Sequence, residues 1–123
     1  MRATTGDIDI DSLKAVGGGL NAWEGTVRVG LPYKGKVRPS VISKYAYGIS
    51  GKSGVVIENM KALAGPRLVS ESGDVSLRNS KLRSYGTVRM EPVAPGGVCD
   101  LTGTDVGEDV VVDTSACTTV VGP

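Results

Sequence analysis

The central stretch GVVIENMKALAGPRLVSESGDVSLRNSKLRSYGTVRM (54–90) decides the fold class of this chain. Short runs of apolar and β-branched residues alternate in it with turns rich in Gly, Ser and Asn, which is the spacing of strands. The strands predicted in this stretch are 55–58, 67–71, 74–77 and 82–90. Only NMKALAGP (59–66) favours a helix, because Asn59 can cap its start and Gly65-Pro66 can end it.

The strand pattern continues on both sides of this stretch. GDIDID (6–11) and GTVRVGL (25–31) alternate apolar with polar residues, as half-buried strands do, and VGGGLNA (16–22) between them is predicted to be a flexible connection. Further predicted strands are 41–49, 98–101, 108–112 and 118–121. The sequence therefore predicts a mainly β fold: a single domain over 1–123, with a small antiparallel β-sheet, long loops and at most one short helix.

The composition removes several classes of function. The chain has 123 residues and contains no His, which is the commonest general base and the commonest zinc ligand. Nucleophilic catalysis through Ser or Cys would lack its base. We therefore predict that the chain is not an enzyme and holds no cofactor or metal. It contains no run of eighteen apolar residues, so no direct membrane span is expected.

Charge is divided unevenly along the chain. Residues 1–91 hold all fourteen Lys and Arg with eight acids, whereas 92–123 hold five acids and no base. This division is compatible with a solvated surface, and equally with two opposite patches that let copies or partners meet head to tail. The residues of the possible acidic contact are Asp100, Asp105, Glu108, Asp109 and Asp113.

Cys99 and Cys117 enclose an acidic, Val-rich segment near the end of the chain. A cysteine pair that closes such a loop predicts an exported domain with one disulfide, and an extracellular or cell-surface location. The N-terminal residues lack the apolar core of a signal peptide, so export would need a targeting segment outside this sequence. A reduced pair in the cytosol remains a second interpretation.

Two patterns have a chemical interpretation beside a structural one. AYGISGKS (46–53) matches a loose phosphate-loop pattern, in which Lys52 would contact phosphate and Ser53 magnesium. The β-branched residues that follow it are poor helix formers, so a hairpin turn is the better prediction and a nucleotide-binding protein is a distant alternative. Asp7, Asp9 and Asp11, and the acids of the cysteine loop, could offer oxygens to calcium but fit a solvated strand edge better.

The C-terminal arrangement resembles the globular head of a bacterial type IV pilin, in which a small antiparallel sheet precedes a disulfide-bounded loop. Cys99 and Cys117 match the two disulfide positions of that family in order, spacing and closeness to the end. The long apolar N-terminal helix of the family does not occur here. The resemblance implies a structural subunit of an extracellular filament, whose sheet would need covering by a separate helical pilin chain or by copies of itself. No nucleic acid partner is expected.

The stretch 54–90 also resembles the rungs of β-helical surface adhesins, where short strands and polar turns alternate. A β-solenoid surface adhesin fragment is therefore the alternative function. Such a solenoid would require a regular rung length. The two internal echoes do not show one: GDIDIDSLK (6–14) resembles GDVSLRNSK (73–81) and GTVRV (25–29) resembles GTVRM (86–90), but the two offsets are unequal.

Overall fold

The computed structural model describes residues 2–12, 14–15, 19–32, 34–42, 48–63, 67–82 and 86–122. These residues form short strands joined by turns, with no helix among them. In chain order the strands are β1 (Arg2–Ala3), β2 (Ile8–Ile10), β3 (Lys14–Ala15), β4 (Gly19–Ala22), β5 (Thr26–Val29), β6 (Ser40–Ile42), β7 (Gly48–Gly51), β8 (Gly54–Glu58), β9 (Met60–Leu63), β10 (Arg67–Ser70), β11 (Val75–Arg78), β12 (Lys81–Leu82), β13 (Gly86–Pro92), β14 (Val98–Asp100), β15 (Asp105–Val106), β16 (Val110–Asp113) and β17 (Thr119–Val121).

The strands assemble into a β-solenoid, in which each circuit of the chain adds one strand to each face. Face 1 has the strand order β1-β4-β7-β10-β13-β16, and face 2 has the order β2-β5-β8-β11-β14-β17. Face 3 consists of the smaller sheets β3-β6-β9 and β12-β15. Every strand pair among the described residues is parallel. One circuit, here called a rung, therefore begins on face 1, crosses face 2 and ends on face 3.

The interior is filled by columns of aliphatic side chains that stack from rung to rung. On face 1, consecutive register partners form a column of Leu20, Ile49, Leu68 and Met90. On face 2, the corresponding column is Ile8, Val27, Val55, Val75 and Cys99. All of these side chains are buried and, with Met60 and Leu82 from face 3, form one hydrophobic cluster. The alternation of apolar and polar residues in each strand thus separates an inner from an outer surface.

The predicted antiparallel sheet is wrong, because all described strands pair in parallel. Parallel and antiparallel strands show the same alternation, so the sequence pattern does not distinguish them. Parallel pairing requires a long crossover connection, and here the other two faces of the solenoid provide it in place of a helix. The prediction of many short strands and of a mainly β fold is confirmed.

Two local predictions also need correction. The predicted helix over 59–66 is wrong in its described part, where Met60–Leu63 is β9; residues 64–66 lie outside the described residues. Met60 is only 1% exposed, so stacking inside the solenoid overrides a weak helix preference. Likewise, the flexible connection predicted over 16–22 is wrong in its described part, which is β4 (Gly19–Ala22); residues 16–18 lie outside the described residues.

The rungs differ in length, which conceals the repeat in the sequence. The unequal steps are seen along the face 2 column, where the register partners are Ile8, Val27, Val55, Val75, Cys99 and Val120. The step from Val27 to Val55 is the longest of these. It is lengthened by the loop 30–39 between β5 and β6, of which the described residues 34–39 are exposed.

The two sequence echoes differ in meaning once the rungs are known. Ile8 and Val75 lie three steps apart in the face 2 column, so GDIDID and GDVSLR, the first six residues of this echo, occupy equivalent positions in the solenoid. GTVRV and GTVRM do not, because Val27 lies on face 2 and Val88 on face 1. An echo in this sequence is therefore informative only when both copies belong to the same face.

Candidate functional site

The outer surface of face 1 is a grid of three columns, since every second residue of its strands points outward. In the rungs of β4, β7, β10 and β13 the outward residues are, in order, Gly19, Asn21 and Trp23; Gly48, Ser50 and Lys52; Arg67, Val69 and Glu71; and Arg89, Glu91 and Val93. The register is continued past the strand ends by backbone hydrogen bonds, such as the one that the N–H of Lys52 donates to the Ala22 carbonyl at 3.1 Å. Residues far apart in the sequence are therefore neighbours on this face.

A groove crosses the middle of this grid. Its largest described part has a volume of about 420 Å³ and is lined by Trp23, Lys52, Glu71 and Val93 on one side and by Asn21, Ser50 and Val69 on its floor. It continues into a shallower part that is bordered by Gly19, Gly48 and Arg67. The two glycines place no side chain on the surface, and this keeps the groove open where the neighbouring rung carries an arginine.

Trp23 forms one end of the groove and is the largest exposed apolar side chain among the described residues. It is 52% exposed, although the Arg2 guanidinium lies 4.2 Å from the ring centroid. This cation–π contact joins the first rung to the second and restricts the orientation of the indole. Trp23 lines the groove, whereas Arg2 is not among its lining residues.

The charged residues of the groove alternate in sign. Lys52 and Glu71 occupy adjacent positions in the same outer column, and Arg67 makes a salt bridge of 2.8 Å to Glu91 in the next rung. The hydrogen bond to Glu91 holds the pKa of Arg67 above its ordinary value. The groove is therefore polar but carries little net charge.

The aspartates of the first rung are held by arginines rather than grouped around an empty site. Arg28 bonds Asp7 at 2.8 Å and Asp9 at 3.3 Å, and Arg38 lies 3.7 Å from Asp11. The hydrogen bond from Arg28, and a second from the Thr26 N–H, hold the pKa of Asp7 below its usual value. Within the described ranges no group of three or more His, Cys, Asp or Glu residues could hold a metal ion.

Cys99 and Cys117 are joined in a disulfide that closes nearly one circuit of the solenoid, since the register partner of Cys99 in the next rung is Val120. Cys99 is buried in β14, and Cys117 closely precedes β17, which pairs with β14 from the next rung. We call residues 98–122, from β14 to the end of the described chain, the C-terminal turn. Because 99–117 passes over all three faces, the cysteine loop is a solenoid turn rather than a projecting loop.

The acidic residues of the C-terminal turn are consequently spread around its circumference. Asp100 lies on face 2, Asp105 on face 3, Glu108 and Asp109 in the following turn, and Asp113 at the end of β16 on face 1. The Thr102 side chain lowers the pKa of Asp100, and the Ser115 hydroxyl lowers that of Asp113. The structure does not bring the five acids together into one patch, so their role as a contact surface stays a prediction.

The phosphate-loop pattern lies at a corner of the solenoid. Its residues 48–53 run from β7 on face 1 into the turn before β8 on face 2, while Ala46 and Tyr47 lie outside the described residues. The predicted hairpin is wrong, because β7 and β8 belong to different sheets. No helix follows the loop in the described chain, and the Ser53 hydroxyl donates to the Glu24 carbonyl at 3.2 Å. The corner thus lacks the helix N-terminus that a phosphate loop uses.

Comparisons with known proteins give no relative for this chain: no family model, no curated protein and no solved structure matches it. Among the described residues there is no helix that could cross a membrane. The type IV pilin resemblance is therefore without further support and stays a prediction, and the antiparallel sheet that it implied is wrong.

Sequence reasoning missed the groove. It did not single out Trp23, and it considered Lys52 only for phosphate binding. The available signal was that each residue lies two places after a polar residue of an alternating strand pattern: Trp23 follows Asn21, and Lys52 follows Ser50. That signal becomes meaningful only when the rung steps are known, because Trp23 and Lys52 lie in different rungs.

Proposed function

We propose that this chain is an exported β-solenoid domain that binds a molecule on the outer surface of face 1, as a surface adhesin does. The observation that carries the proposal is the groove with Trp23 at its end. An indole that is half-exposed and held in place by Arg2 loses little conformational freedom on binding, so it is a suitable anchor for a ligand.

The architecture supports binding rather than catalysis. The groove is built on paired strands, which hold their outward side chains at fixed positions, and it extends over neighbouring rungs. The disulfide in the C-terminal turn favours an oxidising compartment outside the cytosol, which is where an adhesin acts.

The physical argument for a filament subunit no longer applies. It assumed a sheet with an uncovered apolar face that a partner helix would protect. In the solenoid, the apolar sides of the three faces pack against one another, and the described core residues are buried. A separate helical chain or stacked copies remain untested as partners, and we do not propose them.

Surface binding tests this function. Fluorescently labelled chain is incubated with a panel of intact bacterial and animal cells, and its retention is measured by flow cytometry. We expect saturable retention on at least one cell type and a loss of at least tenfold in Trp23→Ala. Val37→Ala is the matched control, because Val37 is equally exposed at 52% but lies in the loop 30–39. Absence of retention, or equal retention of both variants, would overturn the proposal.

A further inference from the structure

We infer that the groove of face 1 binds an uncharged oligosaccharide, with a sugar ring stacked on Trp23. This inference rests on the proposed function and adds the chemical class of the ligand. A pyranose ring presents a flat face of C–H groups surrounded by hydroxyl groups. A site for it therefore needs a fixed aromatic surface with hydrogen-bonding side chains beside it, and both are present here.

The aromatic surface is Trp23. An indole combines a large apolar face with low side-chain freedom, and the Arg2 guanidinium at 4.2 Å restricts it further. Such preorganisation reduces the entropic cost that a flexible, hydroxyl-rich ligand imposes on binding. In the rungs that follow Trp23, the same outer column continues with Lys52 and Glu71, so polar groups begin where the aromatic surface ends.

The hydrogen-bonding groups lie on the floor and rim of the groove. Asn21 offers an amide with both donors and acceptors, Ser50 a hydroxyl and Glu71 a carboxylate. Within the described part of the chain, none of these three side chains has a hydrogen-bond partner. All three are therefore available to ligand hydroxyl groups, which exchange bonds to water for bonds to the protein.

The charge pattern selects an uncharged ligand over a polyanion. Lys52 is followed in its column by Glu71, and Arg67 is bound to Glu91 at 2.8 Å, so each of these cations has a carboxylate beside it. A nucleic acid or sulfated polymer is held chiefly by cations whose charge is not compensated, and its affinity falls steeply with salt. The described lining of this groove offers no such row of cations.

The dimensions fit a short segment of a chain molecule. β4, β7 and β10 are adjacent parallel strands, so the groove spans roughly 10 Å across them. Along the strands, Gly19 and Gly48 lie four residues from Trp23 and Lys52 and carry no side chain, and a Cβ added at Gly48 would meet no atom within 4 Å. An oligosaccharide lying along the strands would thus stack one ring on Trp23, pass over Asn21 and Ser50, and reach the glycine floor roughly 13 Å away.

The experiment uses the chain's own fluorescence, because Trp23 is its only tryptophan. The purified chain is titrated with oligomers of glucose, of mannose and of N-acetylglucosamine, with a uronic acid oligomer, a sulfated glycan and single-stranded DNA as charged ligands. We expect saturable quenching or a spectral shift with at least one uncharged oligomer. The fitted Kd should change less than twofold between about 50 mM and 500 mM salt.

Variants locate the site, and calorimetry measures their binding where the fluorophore is lost. Trp23→Ala should weaken binding at least tenfold, and Gly48→Ile should do the same by filling the groove. Gly48→Ile should fold normally, since its Cβ meets open space and its backbone is not in the left-handed region. The controls are Val37→Ala and Ser76→Ile, which places the same side chain outward on face 2.

The outcomes separate this inference from the proposed function. Binding of no uncharged oligomer, or binding only of salt-sensitive polyanions, overturns the oligosaccharide inference; the proposed function stands if cell retention still depends on Trp23. Unchanged affinity in both groove variants also overturns the inference. If retention on cells is the same for Trp23→Ala and Val37→Ala, the proposed function itself fails.

Discussion

The middle of the solenoid and its C-terminal turn have the same strand pattern but are held by different interactions. In the middle, Leu68 is stacked between Ile49 and Met90 and is fully excluded from water. In the C-terminal turn, Val120 is 44% exposed, although its register partner in β14, Cys99, is buried. Rungs on both sides exclude Leu68 from water, whereas the C-terminal turn is also held by a covalent bond, the Cys99–Cys117 disulfide.

The largest effect should come from truncating the middle column. We expect Leu68→Ala to lower the free energy of unfolding by about 2–5 kcal/mol, because it removes buried methyl groups and leaves a cavity between two rungs. Val120→Ala, which truncates a strand residue of the C-terminal turn, should cost less than about 1 kcal/mol. Urea denaturation of both variants measures the difference. Equal losses would show that burial does not distinguish the two regions.

The disulfide should stabilise the C-terminal turn and little else. Cys117→Ala removes the link between Cys99 and Cys117, which corresponds to about 3 kcal/mol when the closed loop unfolds. Since each rung contacts mainly its neighbours, the loss should be local. Hydrogen exchange should accelerate in 98–122 and stay unchanged in the strands of 48–63. Uniform acceleration along the chain would instead indicate that the solenoid unfolds as one unit.

Glycine at the edge of the core should matter more than glycine in the projecting loop. Gly30 and Gly35 both have left-handed backbones, with φ of +80° and +74°. A Cβ at Gly30 would collide with the Glu58 carbonyl of the next rung, whereas one at Gly35 would meet no atom within 4 Å. Both alanine variants bear the left-handed strain of about 1–2 kcal/mol. Gly30→Ala should therefore lower the melting temperature more than Gly35→Ala does. The reverse order in thermal melts would contradict the close contact between Gly30 and the Glu58 carbonyl.

The strands were predictable from sequence, but their pairing was not. Alternation at Ile8 and Ile10, or at Val55 and Ile57, identifies half-buried strands without knowledge of their neighbours. Pairing depends on the rung step, and the loop 30–39 lengthens the step that joins β5 to β8. A period that changes from one rung to the next is not evident in a single sequence, because the repeats cannot be aligned before the insertions are known.

The groove was unpredictable for a related reason. Trp23, Lys52 and Glu71 are distant in the sequence and become neighbours only through the register of β4, β7 and β10. By contrast, the disulfide was predicted because it needs only two cysteines and no knowledge of pairing. Features that depend on one strand or one residue pair can be inferred from sequence, whereas features that depend on register cannot.

The smallest effect should come from two aspartates, one in the first described rung and one in the C-terminal turn. The pKa of Asp7 is lowered by Arg28, which lies in the next rung, and the pKa of Asp113 is lowered by Ser115, its near neighbour in sequence. A carboxyl whose pKa is lower in the folded than in the unfolded chain stabilises the fold above the unfolded value, near pH 4. That stabilisation is lost as the pH falls through the folded value.

Asp7→Asn should therefore lower the melting temperature at pH 7, and the difference from the unsubstituted chain should shrink as the pH falls below about 4 and vanish below the folded pKa of Asp7. Asp113→Asn should have the smaller effect at pH 7, because a bond to Ser115 can form within the C-terminal turn whether or not the rungs are stacked. The Asp7 effect should also decrease with salt, since its ion pair with Arg28 is solvent-exposed. Thermal melts from acid to neutral pH at two salt concentrations measure both differences. A pH-independent loss in Asp7→Asn would mean that the asparagine disturbs packing between the first two rungs, and that charge pairing does not hold them together.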